Sequence, residues 1–304
     1  RKSNNIMKNF AVISDSSLDI DQKLVMDNEI AIVPYMVSFD SSEYKKDRLE
    51  IDVREFFEKV AEHPGVYPKT SMPSIGDYLK EMTKAAKNGQ NIICICMSAK
   101  FTTSYQSART AAEMVREDYP HIQIAVIDST LATVMEGLFV LEACRLSQEG
   151  VPFEQAVEKL EAIKKTGNIF FTVGDLDYLI AGGRVGKAAG AIAQTMRLKP
   201  LIHMKDGELF PMGVARTRKG TWKKIVQELG EYIKSNSIDL NEQSITTGYG
   251  LDLEEGKAFN QYVKEYLKDS FGYEGQVANH QIGSALCVHT GPTPLGVALI
   301  HKAV

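Results

Sequence analysis

Short apolar runs alternate with amphipathic stretches through the first half of the chain. Phe10–Ser14 is an apolar run that stops at Asp15-Ser16-Ser17, and Ala31–Phe39 reads as a second strand. Val53–Ala61 has helical spacing, with Phe56, Phe57 and Val60 on one side. Ser74 precedes the amphipathic stretch Ile75–Ala86 and is a natural N-cap for it. Asn91–Met97 is continuously apolar, as expected of a strand buried on both faces. The polar segment Ser98–Ser104 leads into a helical pattern over Tyr105–Glu117, then a strand at Ile122–Ile127. Asp128-Ser129-Thr130 opens a helix over Leu131–Gln148. Strand, polar turn and helix recurring in this way predict a parallel α/β unit.

The texture changes after a helix at Phe153–Lys165. Short strand candidates follow at Ile169–Val173, Pro200–Met204, Leu209–Ala215, Ser244–Gly248 and Gly275–His280, with helices at Lys219–Lys234 and Leu253–Lys268. Asp206-Gly207 between two of the strands is a hairpin signal. The expected fold is therefore α/β overall. Residues 1–166 should form a parallel α/β domain with hydroxyl-rich loops, and residues 167–304 an α+β domain with a mainly antiparallel sheet.

A chain of 304 residues is at the size where single cores give way to two domains, which agrees with that division. Lys and Arg number 35 against 39 Asp and Glu, a net charge of −4, which argues against a nucleic-acid partner. No apolar run is long enough to span a bilayer; Ile92–Met97 is only strand-length. Arg1–Asn9 is polar and has no signal-peptide core, and the residues before about Met7 read as partly foreign to the natural chain. Cys94, Cys96, Cys144 and Cys287 are too sparse for a disulfide framework. On a strand, Cys94 and Cys96 would share one face as half a metal site, but no second Cys/His pair follows at zinc spacing. Buried free thiols in a reducing cytoplasm are the expectation, with no metal.

Candidate chemistry lies in polar clusters after strands: Asp15-Ser16-Ser17, Thr70-Ser71, Ser98–Ser104 and Asp128-Ser129-Thr130. Ligands of open α/β sheets bind outside the carboxyl ends of the strands, and helix starts suit anions. Each cluster alone is better explained by the capping preference of Ser, Thr and Asp. Ser98, Thr102, Thr103 and Ser104 exceed what one cap needs, and point to a neutral site for a carboxylate or phosphate. Gly182-Gly183-Arg184-Val185-Gly186-Lys187 fails as a P-loop, because Ala181 stands at the first glycine and Ala188 at the hydroxyl position. It remains a tight turn exposing Arg184. His289-Thr290-Gly291-Pro292 places an imidazole beside hydroxyls. No Gly-x-Ser-x-Gly elbow, His-Glu-x-x-His or Gly-x-Gly-x-x-Gly is present, so binding is better supported than bond-breaking.

Taken in order, Val12–Ser17 (VISDSS), Pro68–Ser74 (PKTSMPS), Met97–Ala108 (MSAKFTTSYQSA), Asp177–Val185 (DYLIAGGRV), Val214–Lys219 and Val288–Gly296 (VHTGPTPLG) resemble the motifs of the DegV family. Its characterised members are the fatty acid-binding (FakB) subunits of bacterial fatty acid kinase. The resemblance runs from about Lys8 to about Ile300. It implies one long-chain fatty acid held between two domains, its acyl chain in an apolar tunnel and its carboxylate among hydroxyls and a histidine. On that resemblance Thr70, Ser71, Ser98, Thr102 and His289 would bind the carboxylate, while Arg184 and Arg216 would serve docking or phosphoryl transfer with a kinase.

The resemblance also implies a non-enzymatic carrier presenting the carboxylate to a separate ATP-dependent kinase, whose acyl phosphate feeds phospholipid synthesis. Peripheral membrane contact for lipid exchange is a further expectation. Ala99 replaces the second Ser of the family pair, and Thr102-Thr103-Ser104 replaces Ser-Gly-Thr. A β-branched Thr103 disfavours positive φ and is expected to narrow the pocket or shift the head group. The rival reading is a phosphotransferase or hydrolase using His289 and the Ser98–Ser104 hydroxyls on a small anion. A third is a degenerate member whose pocket no longer takes lipid.

Overall fold

The computed structural model describes residues 8–194 and 197–304. The N-terminal stretch read above lies outside them up to Met7. In chain order the first half consists of β1 (Phe10–Asp15), α1 (Gln22–Asp27), β2 (Ala31–Val33), β3 (Met36–Ser38), β4 (Lys45–Lys46), α2 (Val53–Glu62) and β5 (Lys69–Ser71). Next come α3 (Ile75–Lys87), β6 (Asn91–Cys96), α4 (Ser104–Asp118), β7 (Ile124–Asp128), α5 (Thr133–Gln148) and α6 (Phe153–Ile163). The second half runs through β8 (Asn168–Thr172), α7 (Asp177–Ala181), β9 (Lys199–Lys205), β10 (Glu208–Ala215) and α8 (Arg218–Ser235). It ends with β11 (Gln243–Tyr249), α9 (Leu253–Phe271), β12 (Ala278–Gln281), α10 (Ser284–Thr290) and β13 (Leu295–His301).

The first sheet is parallel, in the order β2-β1-β6-β7. β6 shows why its sequence is apolar throughout. Ile92, Cys94 and Cys96 pack with Tyr78 and Met82 of α3 and Ala111 and Ala112 of α4. Ile93 and Ile95 belong to the core on the opposite face, with Phe139 of α5. The two cysteines share a face as expected, and all four thiols are buried and unbridged. Ser74 caps α3 by accepting from the Asp77 N–H at 3.0 Å.

The single strand expected over Ala31–Phe39 is two. Pro34 has no N–H to give a ladder, and the Tyr35 N–H donates to Ser16 Oγ instead. The chain therefore leaves the parallel sheet at Val33 and re-pairs as β3 in a small antiparallel sheet, order β4-β3-β5. Thr70 and Ser71, expected in a loop, lie in β5, with Thr70 opposite Val37.

The second sheet has six strands in the order β10-β9-β8-β13-β11-β12, antiparallel except between β11 and β12. α8 and α9 cover one face through Trp222, Ile225, Leu229, Phe259, Val263 and Leu267. Ile169, Met204, Ala298 and Ile300 on the other face join the core of the first half without a break. Asp206 and Gly207 make the expected hairpin turn, both at positive φ (50° and 76°), with Lys205 opposite Glu208.

Candidate functional site

A cavity of about 620 Å³ opens between the second sheet and the loops at the carboxyl ends of the parallel strands. Its sheet side carries Ile169 and Phe171 of β8, Met204 of β9 and Leu209 of β10. The facing side carries Met97, Ala132, Val134 of α5, and Ala285 and Leu286 of α10. Thr70, Ser71, Thr102, His289 and Arg184 also line it, so side chains from four distant stretches of sequence converge on one space.

His289 sits near the C-terminus of α10, a short helix not read from the sequence. Its Nε2 lies 3.3 Å from Thr70 Oγ1, while its buried Nδ1 has no hydrogen-bond partner. Burial, with Arg184 nearby, pulls the imidazole down to about 4, so the ring is neutral at physiological pH. It can donate one hydrogen bond without supplying charge. Gly182 is what lets the ring sit there: a Cβ at that position would stand 2.4 Å from Nδ1.

Positive charge at the lining comes from Lys100, paired with Glu208, and from Arg184. The exposed Arg184 guanidinium donates from Nη1 to Gly182 O at 2.6 Å and from Nε to Phe101 O at 3.1 Å. It therefore ties the turn after α7 to the loop after β6. Thr102 Oγ1 accepts from the Ser104 N–H, and Thr103 stands at the N-cap of α4 without a side-chain cap bond. The positive end of a 15-residue helix is thus next to the polar lining.

Beneath this loop lies a carboxylate hub that sequence reasoning saw only as one more polar cluster. Asp15 accepts from Ser17 Oγ at 2.8 Å, Tyr35 Oη at 3.2 Å, the Met97 N–H at 2.9 Å and Ser104 Oγ at 2.8 Å. Ser17 Oγ also contacts Glu136, which is fully buried. Burial and the neighbouring Asp15 charge push Glu136 well above the usual carboxylate range. A hydroxyl has one proton to give, so Ser17 can donate to only one of these two carboxyls at a time. The hub fixes Tyr35, which lines the cavity, and the start of α4.

The other residues singled out in the sequence lie elsewhere. Ser98 is fully buried but does not line the cavity; its hydroxyl donates to Gly207 O at 2.9 Å, across to the β9–β10 hairpin. Arg216 is exposed between β10 and α8, outside the cavity. Ala99 lines the cavity without a hydroxyl to offer, and its N–H donates to Asp128 Oδ1. Thr103 has φ −93°, so no glycine is needed there and the expected strain is absent; its hydroxyl meets Met72 Sδ. Among the described residues, no cluster of three or more His, Cys, Asp or Glu side chains is arranged for a metal. None of the described helices is long and apolar enough to cross a membrane.

The family model described as an uncharacterised protein of the DegV family matches residues 9–302. This chain belongs to the DegV family. A DegV domain-containing protein of Staphylococcus aureus strain N315 is 28% identical over 295 residues, covering 97% of this chain and 98% of the relative. The crystal structure of a stearic acid-binding protein from Eubacterium ventriosum superposes with a TM-score of 0.89 at 36% identity, covering 97% of this chain and 99% of that one. A fatty acid-binding DegV family protein from Thermus thermophilus gives a TM-score of 0.84 at 27% identity, covering 97% and 100%. The DegV fold therefore extends over nearly the whole chain.

Proposed function

We propose that this DegV family protein binds one long-chain fatty acid between its two halves, residues 1–166 and 167–304. The observation that carries this is the cavity itself, largely apolar with Thr70, Ser71, Thr102, His289 and Arg184 brought to it, in a fold shared with fatty acid-binding proteins. The carboxylate meets the hydroxyls, the neutral imidazole and the helix N-terminus. Ser98 acts instead on the closure between the halves. Burial of the tail contributes about 0.8 kcal/mol per methylene, so the chain supplies most of the affinity and the polar end sets orientation.

In this reading the protein is a carrier. Arg184, exposed beside the polar lining, faces a separate ATP-dependent fatty acid kinase, with Arg216 on the same partner's footprint. The acyl phosphate made there enters phospholipid synthesis, and lipid exchange proceeds by peripheral contact with a bilayer. Four buried, unbridged thiols support a reducing, cytoplasmic setting. The hydrolase alternative is less well supported, because a His-based nucleophile system needs a third group to orient the ring, and His289 Nδ1 meets none.

Native mass spectrometry of the protein as purified, followed by denaturing extraction, tests the binding. One fatty acid near unit stoichiometry is the expected result. A small polar ligand, or turnover of a small anion that His289→Ala abolishes, would overturn it.

A further inference from the structure

The cavity has an end as well as a polar mouth. Val134, Gly248 and Ile282 all line it. Gly248 faces Gly296 across the β11–β13 ladder, and Gly296 in turn faces Phe171 of β8, so the sheet surface at this point has two adjacent positions without side chains. A Cβ at Gly248 would lie 3.2 and 3.4 Å from the two Val134 methyls and 3.5 Å from Ile282 Cγ1. Helix α5 and the segment after β12 thus close down on the sheet at Gly248, leaving room for a glycine and little more.

This corner lies at the opposite end of α10 from His289. α10 carries His289 near its C-terminus and Ala285 one turn earlier on the same face, with Ile282 just before the helix. From His289 back to Ser284, where the helix starts, is about 7.5 Å along its axis at roughly 1.5 Å per residue, and Ile282 precedes that start. Met204 and Leu209, two other apolar lining residues, sit instead beside the Gly207 turn that Ser98 holds under the polar loop.

Resting on the fatty acid-binding reading, we infer that the Val134–Gly248–Ile282 corner is the stop for the methyl end of the acyl chain and sets the longest chain the protein accepts. Gly296 is not part of the adjustable stop: a Cβ there would be 2.5 Å from Phe171 Cβ and 2.7 Å from Phe170 O, which disturbs the sheet itself. The Gly248 neighbours are side-chain carbons, two Val134 methyls and the Ile282 Cγ1 methylene, which can give by the few tenths of an ångström an alanine requires.

The test is to load delipidated protein with an equimolar series of saturated fatty acids from twelve to twenty carbons and read the bound distribution by native mass spectrometry. Val134→Ala should move the distribution toward longer chains, and Gly248→Ala toward shorter ones. Each methylene gained or lost is worth about fourfold in relative occupancy. Thermal melts confirm that the variants are folded, and Val134→Ala alone decides the matter if Gly248→Ala is not. A parent protein that binds the series while Val134→Ala leaves the distribution unchanged places the stop elsewhere and overturns the inference alone. A parent that takes up no fatty acid overturns the binding reading, and the inference with it.

Discussion

His289 shows how a residue is made useful by a neighbour that has no side chain. Gly182→Ala should drive a methyl into Nδ1 and displace the ring from Thr70. His289→Ala and Thr102→Val should each weaken fatty acid retention by about 1–3 kcal/mol, the cost of leaving buried polar groups unpaired. Fluorescent fatty acid displacement checks this, and Gly182→Ala combined with His289→Ala should lose no more than His289→Ala alone, since both act on one contact. On the proposed kinase partnership, Arg184→Ala should impair phosphorylation of the bound fatty acid by such a kinase more than it impairs lipid binding; equal losses in a coupled assay would mark Arg184 as a strap between Gly182 and Phe101. At this scale the sequence was informative about residue types. Thr70, Ser71, Thr102, Arg184 and His289 were all singled out and all line one cavity. It failed where a side chain's partner is distant: nothing near Ser98 announces Gly207, and Asp15 looks like a cap until Tyr35, Met97 and Ser104 are folded onto it.

Among the elements, the long helices and most strands were legible, but β5, α10 and β13 were not. β6, α3, α8 and α9 were read with ends within a few residues, because each buries a continuous face. β5 has three residues and α10 seven, too few to show a period, and both are held by what they pack against. The start of α5 was placed two residues early for a different reason. Thr130 and Thr133 both hold positive φ (57° and 55°), which a β-branched residue adopts at a cost of about 1–2 kcal/mol. Thr133 has a reason to stay, since its hydroxyl donates to Asp19 at 2.6 Å. Thr130 donates only to the adjacent Ser129 O. Thr130→Gly is therefore expected to stabilise the protein by about 1 kcal/mol, read as a higher denaturation midpoint, whereas Thr133→Gly should not.

For the whole molecule, buried ionisable groups make stability depend on pH in opposite senses. Burial raises Asp19 to about 7 and Asp47 to about 6. In the native state these carboxyls hold protons that the unfolded chain has released, so their contribution is present at low pH and is lost as pH rises through those values. His289, lowered to about 4 by burial, works the other way: the unfolded chain binds its proton first, and stability is lost as pH falls below about 6.5. Asp19→Asn should therefore stabilise the protein more at pH 8 than at pH 5 in chemical denaturation. An equal gain at both would show that ionisation of Asp19 is not the source. None of this was visible in the sequence, because burial is a property of the assembled halves.

The same continuity between the halves has a consequence for the protein's lifetime. Val134, Ile169, Met204, Leu209 and Ala285 belong both to the cavity wall and to the main hydrophobic core. With an acyl chain in place, the lipid becomes a component of that core rather than a passenger beside it. Its occupancy then sets how often the two sheets part, with stability rising as the logarithm of free lipid over its dissociation constant. Stripped protein should be cut faster in limited proteolysis than loaded protein, and added fatty acid should restore resistance. Under the proposed fatty acid-binding reading, occupancy would be written into the protein's own survival, and empty copies would be the ones that proteases find.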